Sequence, residues 1–550
     1  MTAVETLIST DPSNGEAVGS VVITSPAALT EKVKLAAQAQ ISWGQRPLHE
    51  RSSLVQQAYA ALEEAEESLA LLISREMGKD TRRAGYEASG TLHGGRYLAA
   101  ESAKAFTHQR LSGNSEIQYR PLGIVGVISP WNYPLAMANN LLVPALIAGN
   151  SVILKPSEET PLVADLLVKI LNETLPEGVL QIAHGGGDVG EALVKSNINM
   201  IAFTGSLQTG RNIMANAAPQ LKRLVMELGG NDPMIVLEDA DIFAAAQFAV
   251  ASSFENAGQM CTSTERVYVD AKIADQFEQA VVSIASQYKV GSWRDSRVNI
   301  GPLVNKKQHA KVVSHIEDAL EKGAHLLFGD KKPLAPFIQP TVISNINPSM
   351  KIESEETFGP VVAIDRFASV DDAIARANDS IYGLGAVVFG KADAKKVAQQ
   401  LQAGMIGINQ GVGAGGDAPW VGAKQSGFNH HKHNSACEHI VKPKNLKNNK
   451  LFIADGPKTA NAIDLLGTSR TINTYEVGNN YYLIDGSRSM FDLGQSNMPN
   501  NPQGVIWTVD AFNQFPSSGF SYGHVSSSNN NWTNSRTGVS AHHNAAKAYE

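Results

Sequence analysis

Three residues of this 550-residue chain have types and surroundings suited to covalent chemistry. Cys261 lies in NAGQMCTSTERV, a Gly- and polar-marked stretch rather than an apolar run. A free cysteine is most often a small buried hydrophobe. A nucleophilic thiolate needs donors and a neighbouring base or dipole. Glu227, 34 residues upstream, ends the apolar segment LVME before Gly229 and Gly230. It reads either as an acid capping a turn or as a carboxylate that activates water, which hydrolysis of a thioester would require. Asn132 sits in SPWNYP, where Pro130 and Pro134 fix the loop. Such an Asn is usually a turn residue, but a rigidly held amide could instead donate to an oxyanion at a carbonyl under attack.

A fourth pattern is a trap. Gly185, Gly187 and Gly190 spell G-x-G-x-x-G between a strand-like VLQIAH and a helical EALVK. A regular dinucleotide fingerprint also places an acid roughly 20 residues on, for the ribose. No Asp or Glu occurs between Glu191 and Glu227, so the conventional reading is set aside.

The elements that must position these residues read as α/β up to about residue 450. Residues 49–110 have the apolar periodicity of amphipathic helices. GIVGVISPWNYP, NSVILKPSEETP, GVLQIAHGGGDVG and MIAFTGSLQTG are short apolar strands, each running into a Gly- or Pro-marked turn and then a helix. Ligands bind at such strand ends. A second α/β stretch includes PMIVLEDAD, TERVYVD, the helical KKQHAKVVSHIEDALEKG and PVVAIDRF.

The 46 basic and 53 acidic residues give a net charge of −7, which offers no electrostatic support for nucleic-acid binding. No apolar run reaches the roughly 18 residues of a membrane span, and the first twenty residues lack the basic-then-apolar order of a secretory signal. Two cysteines, Cys261 and Cys437, make no disulfide framework and suit a reducing cytoplasm. Beyond about residue 470 the character changes. The last eighty residues hold twelve Asn, eight charged residues, two Trp and five Tyr, which suits a β-rich, loop-heavy domain of extracellular type.

Together PWNYP, KPSEETP, FTGS, ELGG, AGQMC, EETFGP and KQSGF, in that order, resemble the aldehyde dehydrogenase superfamily over residues 5–445. The resemblance implies a Rossmann-type NAD-binding domain at 1–112 and 123–226 and an α/β catalytic domain at 227–422. It also implies a small oligomerisation element at 113–122 and 423–449, followed by a tail at 450–550. By the same resemblance Cys261 attacks the aldehyde carbon, and Asn132 with the Cys261 N–H stabilises the oxyanion. Glu227 activates the water that releases the acid. Lys155, Ser157 and Glu158 are similar to residues at the adenine ribose, Gly205 and Ser206 to the pyrophosphate turn, and Glu356 and Phe358 to residues at the nicotinamide ribose and ring. A carboxylate at Glu158 accepts from a free ribose 2′-OH and repels a 2′-phosphate, which favours NAD, with NADP the alternative.

The sequence departs from the family pattern in two places. Asn231 stands where the family commonly has Lys after ELGG, which removes a positive charge near the active centre. NHHKHNSACEHIVKPKNLKNN after KQSGF is aberrant, which puts assembly into a homodimer or homotetramer through that segment in question. His430, His431, His433, Cys437 and His439 gather there without metal-ligand spacing, so no metal site is expected.

TSRTINTYEVGNNYYLIDGSRSMF, GVIWTVDAFNQFP and VSAHHNAAKAYE resemble part of a thermolysin-like neutral metalloprotease over residues 467–550. No H-E-x-x-H occurs in the chain, so protease activity is not expected and His542 and His543 are read as non-ligands. The expected origin is a fusion or a truncated read-through with an incomplete, β-rich tail. The expected activity is NAD(P)-dependent oxidation of an aldehyde, with succinate semialdehyde and aromatic aldehydes the nearest substrate branches. A CoA-acylating relative and an inactive fusion protein are the alternatives. The expected partners are an aldehyde and other copies of the chain, with no nucleic acid and no membrane.

Overall fold

The computed structural model describes residues 5–110, 116–412, 419–428, 430–431, 441–445, 507–508, 522–525 and 532–533. The chain divides into one unit of residues 1–106 and 120–441 and a second of 107–119 and 442–550.

The first unit contains two mainly parallel sheets. The six-stranded sheet has the order Gly427–Phe428, Arg223–Glu227, Met200–Thr204, Ile124–Ile128, Ser151–Lys155 and Leu180–Ile182. All its neighbours are parallel except the edge strand Gly427–Phe428, which runs antiparallel to Arg223–Glu227. Chain order reverses between Ile124–Ile128 and Met200–Thr204. In a doubly wound sheet that switch point opens a crevice at the strands' carboxyl ends. The loops leaving those ends carry Asn132, Gly205 and Ser206, and the adjacent strand ends on Glu227.

The seven-stranded sheet has the order His325–Phe328, Thr341–Ser344, Val361–Phe367, Thr264–Asp270, Asp232–Val236, Gly385–Phe389 and Met405–Ile408. Its five inner strands are largely buried on both faces, as parallel strands between helices are. Val267 and Val269 pack on one side with Phe254, Phe277 and Val312, while Tyr268 packs on the other with Phe367, Val388 and Val397. That split is the period-two alternation of a strand.

Helices begin where the sequence supplies caps. The side chains of Ser25, Asp80, Ser206, Asp241 and Asn305 each accept an N–H from the first turn of the helix that follows. The helical reading of 49–110 becomes Leu48–Ala61, Glu66–Met77 and Thr81–Ala105, with Gly78 closing the second in a left-handed conformation. Gly185, Gly187 and Gly190 fall at the start of the helix Gly187–Lys195. Among the described residues, no helix is long and apolar enough to cross a membrane.

Val441–Asn445, Glu116–Pro121 and Gln109–Arg110, mostly residues of the second unit, form a three-stranded sheet. The segment read as aberrant thus still makes a strand, because a ladder is built from backbone groups and tolerates unusual side chains. Trp507–Thr508, Tyr522–Val525 and Trp532–Thr533 form a second antiparallel sheet. His433, Cys437, His439, His542 and His543 lie outside the described residues.

Candidate active site

Cys261 follows a tight turn at the end of the helix Ile242–Phe254. Asn256, Ala257 and Gly258 have successive positive φ of 52°, 57° and 74°. A Cβ on Gly258 would sit 2.0 Å from the Gly359 carbonyl oxygen, so only glycine fits there. Gln259 locks the turn from within. Its Nε2 donates to the Asn256 carbonyl (3.1 Å) and its Oε1 accepts from the Val304 N–H (3.0 Å).

Glu227 ends its strand beside Thr204, and its carbonyl accepts the Gly205 N–H at 3.0 Å. The Cys261 thiol donates to Glu227 Oε1 at 3.5 Å, and Trp420 Nε1 donates to the same oxygen at 2.8 Å. Burial pushes the Cys261 thiol well above its ordinary range, and the negative charges of Glu227, Asp232 and Glu356 push it further. Both effects oppose thiolate formation, and a carboxylate lies within reach of the thiol.

Asn132 is held on every side. Its Oδ1 accepts the Tyr133 N–H (3.1 Å), and one Nδ2 hydrogen goes to the Gln259 carbonyl (3.1 Å). Its own carbonyl accepts from Lys79 Nζ (2.9 Å) and Asn256 Nδ2 (3.0 Å). Lys79 in turn pairs with Glu87 at 2.5 Å, both side chains being buried. Glu87 also accepts the N–H groups of Leu135 and Ala136 in the first turn of the helix Pro134–Ile147. Removing one member of a buried pair leaves the other uncompensated. Lys79→Met should therefore lower stability by about 3–5 kcal/mol, read as an earlier denaturant midpoint against wild type.

Around these groups lies a cavity of about 980 Å³, within the size range of ligand sites. Asn132, Cys261, Ser157, Glu158, Gly205, Ser206, Glu356 and Phe358 line it. Lys155 stands one layer behind, paired through Nζ with Glu158 at 3.1 Å. Glu227 reaches the cavity through its bonds to Cys261 and Trp420. Ser206 caps the helix Leu207–Ala217, so that helix's N-terminal dipole faces the cavity wall. Gly185, Gly187 and Gly190 are not among the lining residues.

The Glu356–Phe358 turn is clamped from two sides. Glu356 Oε1 accepts the Gly230 N–H (3.1 Å), and a Cβ on Gly229 would strike the same carboxylate at 2.6 Å. Thr357 and Phe358 donate their N–H groups to Glu265 at 2.6 and 2.9 Å. Phe358 takes a φ of 57° and meets Trp131 edge-on at 5.6 Å between ring centroids. Burial, with the Glu356 charge second, raises Glu265 to about 7. Asn231 is buried and donates to the Glu355 carbonyl at 2.8 Å, while its own carbonyl accepts from Arg266. The site thus depends on Trp420, Lys79, Glu87 and Glu265, which sequence reasoning did not single out. The one local signal was Trp420, an aromatic residue straight after the Gly-rich GVGAGGDAP.

The chain matches the sequence model of the aldehyde dehydrogenase family over residues 2–446, and that of the thermolysin metallopeptidase catalytic domain over residues 459–550. It is 36% identical over 433 residues to a probable NADP+ succinate-semialdehyde dehydrogenase of Sinorhizobium fredii, covering 76% of this chain and 88% of that protein. A solved NADP-dependent glyceraldehyde-3-phosphate dehydrogenase of Bacillus halodurans, in complex with NADP, superposes with a TM-score of 0.78 at 34% identity, over 80% of this chain and 95% of the other. A betaine aldehyde dehydrogenase of Staphylococcus aureus, in complex with NAD+, gives a TM-score of 0.78 at 32% identity, over 82% and 95%.

Proposed function

Because the chain belongs to the aldehyde dehydrogenase family over residues 2–446, we propose that it oxidises an aldehyde to a carboxylic acid with NAD or NADP, through a covalent intermediate on Cys261. The observation that carries this reading is the 3.5 Å approach of the Cys261 thiol to the Glu227 carboxylate beside a cavity that Asn132 also lines.

The Cys261 thiol loses its proton to solvent, directly or by way of Glu227, and the thiolate sulfur bonds to the carbonyl carbon. Asn132 has one amide hydrogen committed to Gln259, and the second, with the Cys261 backbone N–H, donates to the oxygen that gains charge. A bound nicotinamide supplies the two-electron acceptor that turns the hemithioacetal into a thioester. Glu227, as a carboxylate, then deprotonates water. The water oxygen adds to the thioester carbon, the carbon–sulfur bond breaks, and the acid leaves. The Trp420 N–H holds the Glu227 carboxylate in place through this cycle.

The residues present fit a dinucleotide: a switch-point crevice, a helix N-terminus behind Gly205 and Ser206, and a half-exposed Glu158 able to accept from a ribose hydroxyl. In this reading Lys155, Ser157 and Glu158 hold the adenine ribose, Gly205 and Ser206 the pyrophosphate, and Glu356 and Phe358 the nicotinamide ribose and ring. Glu158 favours NAD, while Lys155 beside it offsets part of its repulsion of a 2′-phosphate, leaving NADP as the alternative.

The six-stranded sheet would then be the cofactor domain, the seven-stranded sheet the catalytic domain, and the sheet around Glu116–Pro121 and Val441–Asn445 the oligomerisation element of a cytoplasmic homodimer or homotetramer. The test is NAD(P)H formation with an aldehyde panel, with products analysed with and without CoA. Free acid in both arms supports the proposal; a thioester formed only with CoA contradicts the hydrolytic step.

A further inference from the structure

We propose that the aldehyde end of the cavity takes an apolar aldehyde and excludes one that also carries a carboxylate, with Glu255 as the specificity-determining residue. The inference rests on the aldehyde-oxidising reading and narrows its substrate class. The three relatives named above carry a carboxylate, a phosphate and a quaternary ammonium in their substrates' names, so family membership does not decide the charge.

The cavity has two ends. One lies at the strand ends, at Ser157, Glu158, Gly205 and Ser206. The other lies between the helices Thr81–Ala105 and Pro134–Ile147, where Arg83, Tyr133, Met137, Glu255 and Met260 line it. At this second end Arg83 has three of its five N–H groups taken by protein partners, two carboxylates among them. Its Nη1 pairs with Asp80 at 2.8 Å and donates to the Asn299 carbonyl at 2.9 Å, while its Nε pairs with Glu255 at 2.8 Å. One guanidinium against two carboxylates leaves one net negative charge.

Exposure decides which group a substrate meets. The Glu255 side chain is 32% exposed, against 11% for Arg83 and 6% for Asp80. Glu87 also lines this end but is neutralised by Lys79. Among the described lining residues the other cations are Lys307 and Lys311. They sit on the helix Lys306–Glu321, which is tied to Glu159, next to Glu158, through Asn305 and to the Glu356–Phe358 turn through Gln308.

A substrate carboxylate here would lose water and meet a guanidinium already shared by two carboxylates, with one negative charge in surplus. The remaining walls suit a flat apolar group. The Tyr133 ring is fixed by its hydroxyl on Glu255 (3.2 Å) and Met260 Sδ (3.7 Å) and by the Lys79 ammonium 3.7 Å from its centroid. Thioethers and aromatic faces pack well against an aryl ring.

The test compares kcat/KM for benzaldehyde and succinate semialdehyde in the full-length enzyme at saturating cofactor, in wild type and Glu255→Gln. Gln keeps the acceptor for Tyr133, removes the charge and releases Arg83 Nε. The expected wild-type ratio is at least ~10-fold in favour of benzaldehyde. In Glu255→Gln the ratio should fall about tenfold, through a lower KM for succinate semialdehyde. Succinate semialdehyde equal to or better than benzaldehyde in wild type overturns the inference, while leaving aldehyde oxidation standing. A ratio unmoved by Glu255→Gln overturns the role of Glu255. If no aldehyde supports cofactor reduction, the functional reading falls and takes this inference with it.

Discussion

Cys261→Ala is expected to lower kcat for NAD(P)-dependent aldehyde oxidation by at least ~10⁴-fold, as loss of a covalent nucleophile does elsewhere. The substitution deletes one atom, Sγ, at a partly exposed position facing the cavity. The surrounding turn does not rely on that atom. It is held by the Gln259 bonds to Asn256 and Val304, and by the Ser263 N–H on the Met260 carbonyl. The variant should therefore fold and melt like wild type while steady-state kinetics lose the reaction. Residual turnover near the wild-type rate would assign the nucleophile elsewhere.

The second large effect is expected for Glu227→Gln, which keeps an acceptor for Trp420 but abolishes the base. Turnover should fall ~10²- to 10⁴-fold, the usual contribution of a positioned general base. The thiol should respond in the opposite sense. Burial is the main cause of the raised Cys261 thiol, and the Glu227 charge is the next. An uncharged Gln removes that second contribution, so the thiol pKa drops and the thiolate fraction at a fixed, mildly alkaline pH grows. Iodoacetamide should accordingly alkylate Cys261 faster in the variant than in wild type, and in both the rate should climb with pH. Slower catalysis with faster alkylation is a pattern that misfolding would not produce. Slower alkylation in the variant would mean that the carboxylate does not oppose thiolate formation.

What the sequence revealed and what it hid divide along physical lines. Cys261, Glu227 and Asn132 were legible because each sits in a short segment whose turn chemistry constrains it: two prolines around Asn132, two glycines after Glu227, and the turn before Cys261 with Gly258. The strand–turn–helix rhythm placed those segments at strand ends, and both sheets follow it. The supports were not legible, because each joins residues far apart in the chain. Trp420 meets Glu227 across 193 positions, Asn231 meets Glu355 across 124, and Glu265 clamps Phe358 across 93. No local spacing encodes such pairs. Asn231 shows the difference: compared with the family pattern it was only a missing positive charge, whereas in the fold it is a buried amide that ties down the turn carrying Glu356.

One local pattern, whose conventional reading the missing acid had already set aside, lies away from the cavity lining. The glycines at 185–190 form a real helix start, but the cavity is lined instead by Gly205 and Ser206, at the strand end next to the switch point. Sheet order, which a sequence does not display, decides which of several Gly-marked turns faces the crevice.

The central claim is that oxidation passes through an acyl group on Cys261 that Glu227 helps water to remove. The most direct measurement is mass spectrometry of Glu227→Gln, quenched in acid after mixing with NAD+ and an aldehyde that the wild type oxidises. The account predicts the mass of the corresponding acyl group on the peptide containing Cys261, accumulating as NADH forms and absent from Cys261→Ala. NADH formation with an unmodified Cys261 peptide, or the acyl group on another residue, would contradict it.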